Sequence, residues 1–117
     1  RILVVDDEEG LRLLYKEELE DEGWEVELAA SGEESLEKLE KKPVDLVLLD
    51  IKMPGMDGVE VLRRVKEKWK DLPVVLCTAY PHYKHDFGTW ASDAYITKSS
   101  DLTELKQTVK DILGKKP

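Results

Sequence analysis

The amino-acid sequence predicts an α/β fold in which a five-stranded parallel sheet is covered by helices on both faces. Short apolar runs, of which Val44 to Leu49 is the clearest, have the composition of strands buried on both faces. In all, five predicted strands alternate with segments of helical periodicity, the order that builds parallel sheets. A chain of 117 residues is long enough for one domain with a real core.

Composition narrows the classes of function. Cys77 is the only cysteine, so no disulfide can form within the chain, and a reducing, cytoplasmic setting is expected. A formal net charge of −8 argues against direct nucleic-acid binding, which needs clustered Lys and Arg. No apolar run approaches the roughly 20 residues of a membrane span. An acidic domain suits a divalent cation or a basic partner surface.

The first predicted strand is Ile2 to Val5, and it ends on the acidic run Asp6 to Glu9. A helix follows, and Gly23 is a natural stop for it. Its predicted buried face consists of four residues at helical spacing: Leu11, Leu14, Tyr15 and Leu19.

The second strand and helix have weaker apolar signals but a clear boundary. Trp24 to Ala30 alternates between apolar and acidic residues, which predicts a half-exposed strand. Ser31 and Glu34 then form a capping-box pattern at the start of a helix. Leu36 and Leu39 share one face of this helix.

The third strand, Val44 to Leu49, ends on Asp50. Met53 to Gly58 contains the breakers Pro54, Gly55 and Gly58, so Asp50 is predicted at the carboxyl end of a central strand, facing a loop. The following helix has an apolar stripe spaced by three and four residues: Val59, Leu62, Val65 and Trp69.

Two short strands and one helix complete the chain. Pro73 to Thr78 and Ala94 to Thr97 read as strands, and Lys98 closes the second of them. Asp101 is predicted to cap the last helix. The buried face of that helix is predicted to contain Leu102, Leu105, Val109 and Ile112.

The segment between these two strands, Tyr80 to Ser92, lacks a clean apolar stripe. Pro81 cannot lie inside a helix, and Gly88 costs about 1 kcal/mol relative to alanine there. We therefore predict no more than about two turns of regular helix in this segment.

Four of the five predicted strands end on a polar group. Asp6 and Asp7 follow the first strand, Asp50 ends the third, and the last two end on Thr78 and Lys98. Because parallel strands bring their carboxyl ends to one edge, these side chains should converge. Each one alone could be a solvated loop residue, but all of them together predict a site.

The predicted cluster is suited to phosphoryl transfer. Three close carboxylates repel one another and therefore favour a cation, and oxygen ligands with room for water favour Mg²⁺. Lys98 offers a positive charge and Thr78 a hydroxyl donor for phosphoryl oxygens. Asp50 is then the predicted phosphoryl acceptor.

Four stretches carry a specific resemblance over nearly the whole chain: Leu3 to Glu8, Leu49 to Gly58, Thr78 with Ala79, and Tyr95 to Lys98. With them the sequence resembles the receiver domain of bacterial two-component response regulators, in the CheY-like superfamily. The resemblance implies a flavodoxin-like (βα)5 three-layer sandwich with strand order 2-1-3-4-5. Residues 1–117 would form one receiver domain, which we expect to have been trimmed from a longer response regulator.

The resemblance also implies a role for each site residue. Asp50 would accept a phosphoryl group from a sensor histidine kinase or a phosphotransfer protein, and the domain would slowly hydrolyse its own acyl phosphate rather than act as a conventional enzyme. Thr78 and Lys98 would bind the phosphoryl group, and Tyr95 would move with Thr78 as a switch. The Mg²⁺ ligands would be Asp7 and Asp50, Asp6 through water, and the backbone carbonyl of Lys52.

The chain departs from the family pattern after Lys98, where Ser99 and Ser100 replace the usual proline and aromatic residue. A cis bond before a residue other than proline costs roughly 2.5–4 kcal/mol, so we predict a trans Lys98–Ser99 bond. The unusual segment Tyr80 to Ser92 also leaves the partner that reads the signal open.

The sequence leaves two rival functions open. Aspartate-nucleophile phosphatases of the haloacid-dehalogenase type carry a second Asp two residues after the nucleophile, where this chain has Lys52. A receiver-like adaptor that acts without phosphorylation would not need the full set of polar strand ends. The unusual segment before the last strand nevertheless keeps the adaptor open.

Overall fold

Five parallel strands form one sheet in the computed structural model, which describes residues 1–51, 53, 55–78, 94–97 and 102–114. Their order across the sheet is β2-β1-β3-β4-β5, which confirms the predicted order. The strands are β1 (Ile2–Val5), β2 (Val26–Ala29), β3 (Leu46–Asp50), β4 (Val74–Thr78) and β5 (Ala94–Thr97).

Helices pack on both faces of this sheet, as the alternating pattern predicted. In the described part of the chain they are α1 (Glu9–Asp21), α2 (Gly32–Lys41), α3 (Gly58–Lys68) and α4 (Thr103–Gly114). One core cluster joins the sheet to α2 and α3, and a second joins it to α1 and α4. The result is the three-layer sandwich implied by the resemblance.

The central strands are buried on both faces because each sends alternate side chains to the two clusters. Leu3 and Val5 of β1 belong to the cluster under α2 and α3, and Ile2 and Val4 belong to the other. The edge strand β2 is mostly half-buried, in agreement with its alternating sequence.

The starts of α2 and α3 are stabilised by side-chain caps. Ser31 Oγ accepts a hydrogen bond from the Glu34 amide at 3.1 Å, and the Asp57 carboxylate accepts one from the Glu60 amide at 3.0 Å. The Glu34 carboxylate accepts from the amide of Ala30, at 2.6 Å, one residue before the position that a standard capping box would use. This bond ties the start of α2 to the end of β2.

On the helices, two residues differ from the sequence predictions. Leu14 was predicted on the buried face of α1, but it is 41% exposed, while Tyr15 and Leu19 are buried. Trp69 was predicted within the apolar stripe of the third helix, but α3 ends at Lys68 and Trp69 is its C-cap, packed at the margin of the core.

Several predictions fall on residues outside the described ranges. They concern the segment Tyr80 to Ser92, the Lys98–Ser99 bond and the cap at Asp101, and they stay predictions. Among the described residues, no helix combines the length and the apolar character needed to cross a membrane.

Candidate functional site

The candidate site lies at the carboxyl ends of β1 and β3, which are neighbours in the sheet. Val5 pairs with Leu49, so Asp6 and Asp50 follow one residue later on adjacent strands. Asp50 in turn pairs with Cys77 of β4, and Thr78 comes next along that strand. The strand register therefore confirms that these predicted residues share one edge of the sheet.

Three carboxylates converge there. One oxygen from each of Asp6, Asp7 and Asp50 lies within 4.8 Å of the others. Asp6 and Asp50 are only 2% and 5% exposed, whereas Asp7 is open to solvent. A cluster with two buried members and one exposed member offers oxygen ligands to a hard cation and leaves room for water.

Asp6 is held in place by its backbone and its side chain. Its amide donates to the carbonyl of Ala29 at 3.1 Å, which extends the pairing of β1 with β2. Its carboxylate accepts from the Glu8 amide at 2.9 Å, and its carbonyl accepts from the Arg12 guanidinium at 2.7 Å. These three bonds fix the turn that places Asp7 beside Asp6.

The backbone of Asp50 is held by a close approach of Gly58. The Gly58 amide donates to the carbonyl of Ile51 at 2.8 Å. A Cβ atom at position 58 would lie 2.2 Å from the Asp50 carbonyl oxygen, so the first residue of α3 must be glycine for this packing. The start of α3 thus defines the position of the β3 carboxyl end.

The remaining predicted residues are less fully described. Thr78 ends β4 and its backbone pairs with Thr97, which precedes Lys98. Tyr95 pairs with Leu76 in the sheet and packs, half-buried, against the cluster under α2 and α3. Lys98 and Lys52 lie outside the described residues, so their predicted roles are not tested.

A buried polar contact lies next to the acidic cluster. The hydroxyl of Tyr15 on α1 lies 3.7 Å from the thiol sulfur of Cys77. Burial raises the pKa of Tyr15 far above its usual value, and the contact with Cys77 and the nearby charges of Asp6 and Asp50 raise this pKa further. Tyr15 was predicted only as a core residue, so its polar contact could not be anticipated from helical spacing.

The geometry can bind a divalent cation and can present Asp50 as a nucleophile at the edge of the sheet. The sequence did not predict three contacts near the site. They are the bond from Arg12 to Asp6, the close approach of Gly58 to Asp50 and the contact of the Tyr15 hydroxyl with Cys77. The one available signal was the glycine itself, which stands where a loop becomes a helix after a functional strand.

Comparison with known proteins places these features in context. A family model for the response regulator receiver domain matches residues 2–110. Sporulation initiation phosphotransferase F of Bacillus subtilis is 36% identical over 115 residues, which are 97% of this chain and 93% of that protein.

Other relatives are longer. Transcriptional regulatory protein TrcR of Mycobacterium tuberculosis is 39% identical over 115 residues, which are 97% of this chain and 45% of TrcR. The chain thus spans about half the length of several curated relatives that it matches.

Solved structures show the same architecture. Response regulator TrrA of Thermotoga maritima, in complex with Mg²⁺-BeF, has a TM-score of 0.94 and 50% identity, covering 96% of this chain and 97% of TrrA. A chain from the complex of histidine kinase ThkA with TrrA matches with a TM-score of 0.92 and 50% identity. The match covers 97% of this chain and 97% of that one.

Proposed function

Because this chain belongs to the response regulator receiver domain family, we propose that it is a signalling module switched by phosphorylation of Asp50. The observation that carries this proposal is the convergence of Asp6, Asp7 and Asp50 within 4.8 Å at the carboxyl ends of two neighbouring strands. Among the described residues, no other three side chains of the types that bind metals lie as close together.

Mg²⁺ is the proposed cofactor. Asp7 and Asp50 would bind it directly, Asp6 through water, and the Lys52 carbonyl would complete the protein ligands. When bound, the ion would neutralise part of the negative charge that accumulates during phosphoryl transfer. Two observations support this choice: the oxygen-only donor set of the cluster and the Mg²⁺-BeF complex of the related TrrA.

The proposed reaction transfers a phosphoryl group from a phosphohistidine to Asp50. A carboxylate oxygen of Asp50 forms the new P–O bond, the P–N bond of the donor breaks, and the released imidazole takes a proton from solvent. Thr78 and Lys98 would bind the phosphoryl oxygens, and Tyr95 would change position with Thr78. Water would later hydrolyse the acyl phosphate slowly, without a separate substrate.

The proposed donor is a sensor histidine kinase or a phosphotransfer protein, since the related TrrA forms a complex with histidine kinase ThkA. We propose a cytoplasmic location, in keeping with the single cysteine and the family. The chain would act through an output domain or a downstream protein, since the longer relatives, of which it spans about half the length, are transcriptional regulators.

Intact mass after incubation with acetyl phosphate tests this function. The wild-type chain should gain one phosphoryl group when Mg²⁺ is present and none when EDTA replaces it. Asp50→Asn should gain none under either condition, because the amide is not a nucleophile. Asp71→Asn, in an exposed turn after α3, has the same charge change and should be phosphorylated like the wild type.

The same experiment separates the rivals. A phosphorylation-independent adaptor would show no mass change in the wild type. An aspartate-nucleophile phosphatase would consume acetyl phosphate in many turnovers without accumulating a phosphorylated chain. Phosphorylation of Asp50→Asn at the wild-type yield would contradict Asp50 as the acceptor.

A further inference from the structure

Arg12 has a contact that the proposed function does not use. This half-buried residue lies near the start of α1, and one nitrogen of its guanidinium donates to the backbone carbonyl of Asp6 at 2.7 Å. A charge-assisted bond of this length to a carbonyl is stronger than a neutral one. It reaches across the turn that joins β1 to α1.

The carbonyl that Arg12 binds belongs to the peptide unit between Asp6 and Asp7. Because a peptide unit is planar, fixing its carbonyl also fixes the direction in which Asp7 leaves the strand. The bonds from Asp6 to Ala29 and from Glu8 to Asp6 hold the residue before this unit and the amide after it. Arg12 therefore holds the unit that places the exposed carboxylate of the cluster.

The charge of Arg12 also reaches Glu34 at the start of α2. The pKa of Glu34 is lowered mainly by its hydrogen bond from the Ala30 amide, and the charge of Arg12 adds to that effect. Glu34 accepts that bond at 2.6 Å, which anchors its carboxylate at the start of α2. Arg12 thus lies within the electrostatic reach of the Glu34 carboxylate as well as in contact with the Asp6 carbonyl.

We propose that Arg12 is a positioning residue for the cation site, acting on Asp7 through the Asp6 carbonyl. The inference rests on the proposed binding of a divalent cation by this cluster. It assigns no contact between Arg12 and the cation itself.

The direction in which Mg²⁺ affinity changes when Arg12 is replaced tests the proposal. Arg12 carries a positive charge near a site for a cation, so removing that charge alone should strengthen cation binding. Removing a side chain that positions a ligand should weaken it, by about tenfold for typical supporting residues. The two explanations therefore predict opposite changes in the dissociation constant.

The experiment titrates Mg²⁺ into the full chain and follows amide NMR shifts of residues 6–8 to obtain the dissociation constant. Arg12→Gln should weaken Mg²⁺ binding about tenfold. Arg12→Lys keeps the charge but loses the planar donor group, and it should fall between wild type and Arg12→Gln. Arg64→Gln removes an exposed charge from α3, where Arg64 pairs with Glu60, and it should leave binding unchanged.

A second readout needs no metal. The Glu8 amide is bonded to the Asp6 carboxylate, so its hydrogen exchange in EDTA reports the order of this turn. Exchange at Glu8 should be faster in Arg12→Gln than in wild type and unchanged in Arg64→Gln. The urea midpoint of each variant establishes that it is folded, and Arg12→Lys serves in place of Arg12→Gln if the latter unfolds.

Unchanged or tighter Mg²⁺ binding in a folded Arg12 variant would overturn the proposal, as would unchanged exchange at Glu8. Failure of the wild type to bind Mg²⁺ would instead contradict the proposed function. The exchange measurement would then still decide whether Arg12 orders the turn.

Discussion

Tyr15 shows how a single buried group can report on the site. Its ring packs in the core between α1 and the sheet, and its hydroxyl contacts a weak hydrogen-bonding partner, the Cys77 thiol, at 3.7 Å. Burial and the negative charges nearby raise the pKa of this hydroxyl, so the folded protein keeps its proton at a pH where an unfolded chain would lose it.

We predict that this raised pKa makes the protein less stable at high pH. The contribution of protonated Tyr15 to the free energy of unfolding is fully present below about pH 10, the pKa of an unfolded tyrosine. It is lost progressively as the pH rises above that value. The free energy of unfolding of the wild type should fall relative to Tyr15→Phe by up to about 1.4 kcal/mol per pH unit in this range. Urea unfolding of both proteins from pH 8 to pH 11.5 measures the difference, and parallel curves would contradict the prediction.

Individual contacts were the least predictable level. The sequence indicated Asp6, Asp7 and Asp50 because each follows an apolar strand, and strand ends are visible in a hydrophobic pattern. The bond from Arg12 to a backbone carbonyl has no such signature, because any residue type supplies the acceptor. Leu14 was misplaced because it lies one position from Tyr15 on α1, and the burial of the helix follows the side that includes Tyr15 and Leu19.

At the scale of elements, the contact between β3 and α3 positions the proposed nucleophile. Gly58 begins α3 directly against the backbone of Asp50 and Ile51. Gly32, at the start of α2, is packed almost as closely, since a Cβ atom there would lie 2.6 Å from a Val61 methyl group. The two helix starts on this face are thus fitted closely to the loop that follows Asp50.

We predict that Gly58→Ala destabilises the protein by about 1–3 kcal/mol, the usual cost of overpacking. Backbone atoms of Asp50 and Ile51 would have to move, so phosphorylation of Asp50 should slow as well. Gly10→Ala is the matched control, because position 10 lies in α1 with no atom within 4 Å of the added Cβ. This control should be more stable by about 0.5–1 kcal/mol.

Urea unfolding and the rate of phosphorylation by acetyl phosphate measure both variants. If Gly58→Ala had the stability and the phosphorylation rate of the wild type, the prediction would be contradicted. The β3–α3 junction would then be more deformable than its geometry indicates.

Elements themselves were predicted well where the hydrophobic pattern was strong. The strand Ala94–Thr97 has the same bounds in sequence and structure. The third strand begins at Leu46 instead of Val44, because the exposed Asp45 interrupts the apolar run at its start. The close approach of Gly58 could not be read in advance, since a glycine after a loop has the same sequence signature whether or not a backbone touches it.

At the scale of the whole molecule, charge and topology act together. The chain has a formal net charge of −8, and three of its carboxylates converge at one edge of the sheet. The carboxylates come together because the topology of the sheet places β1 beside β3, and their mutual repulsion opposes folding. A divalent cation would relieve this repulsion only in the folded state, where the three groups are together.

We therefore predict that Mg²⁺ raises the thermal unfolding midpoint. A cation at 100 times its dissociation constant stabilises the folded state by about 2.7 kcal/mol, and each kcal/mol corresponds to about 4 °C or more in a domain of this size. Asp7→Asn should lose most of this response and should be more stable than the wild type in EDTA. Asp71→Asn should respond like the wild type, and an equal response in Asp7→Asn would exclude Asp7 as a ligand.

The most direct test of the central claim identifies the residue that carries the phosphoryl group. Borohydride reduces an acyl phosphate of aspartate to homoserine, and peptide mass mapping then locates the converted residue. After treatment with acetyl phosphate and Mg²⁺, the account predicts homoserine at Asp50 and no conversion at Asp6 or Asp7. Conversion at another aspartate, or a phosphorylated chain with no conversion at Asp50, would contradict it.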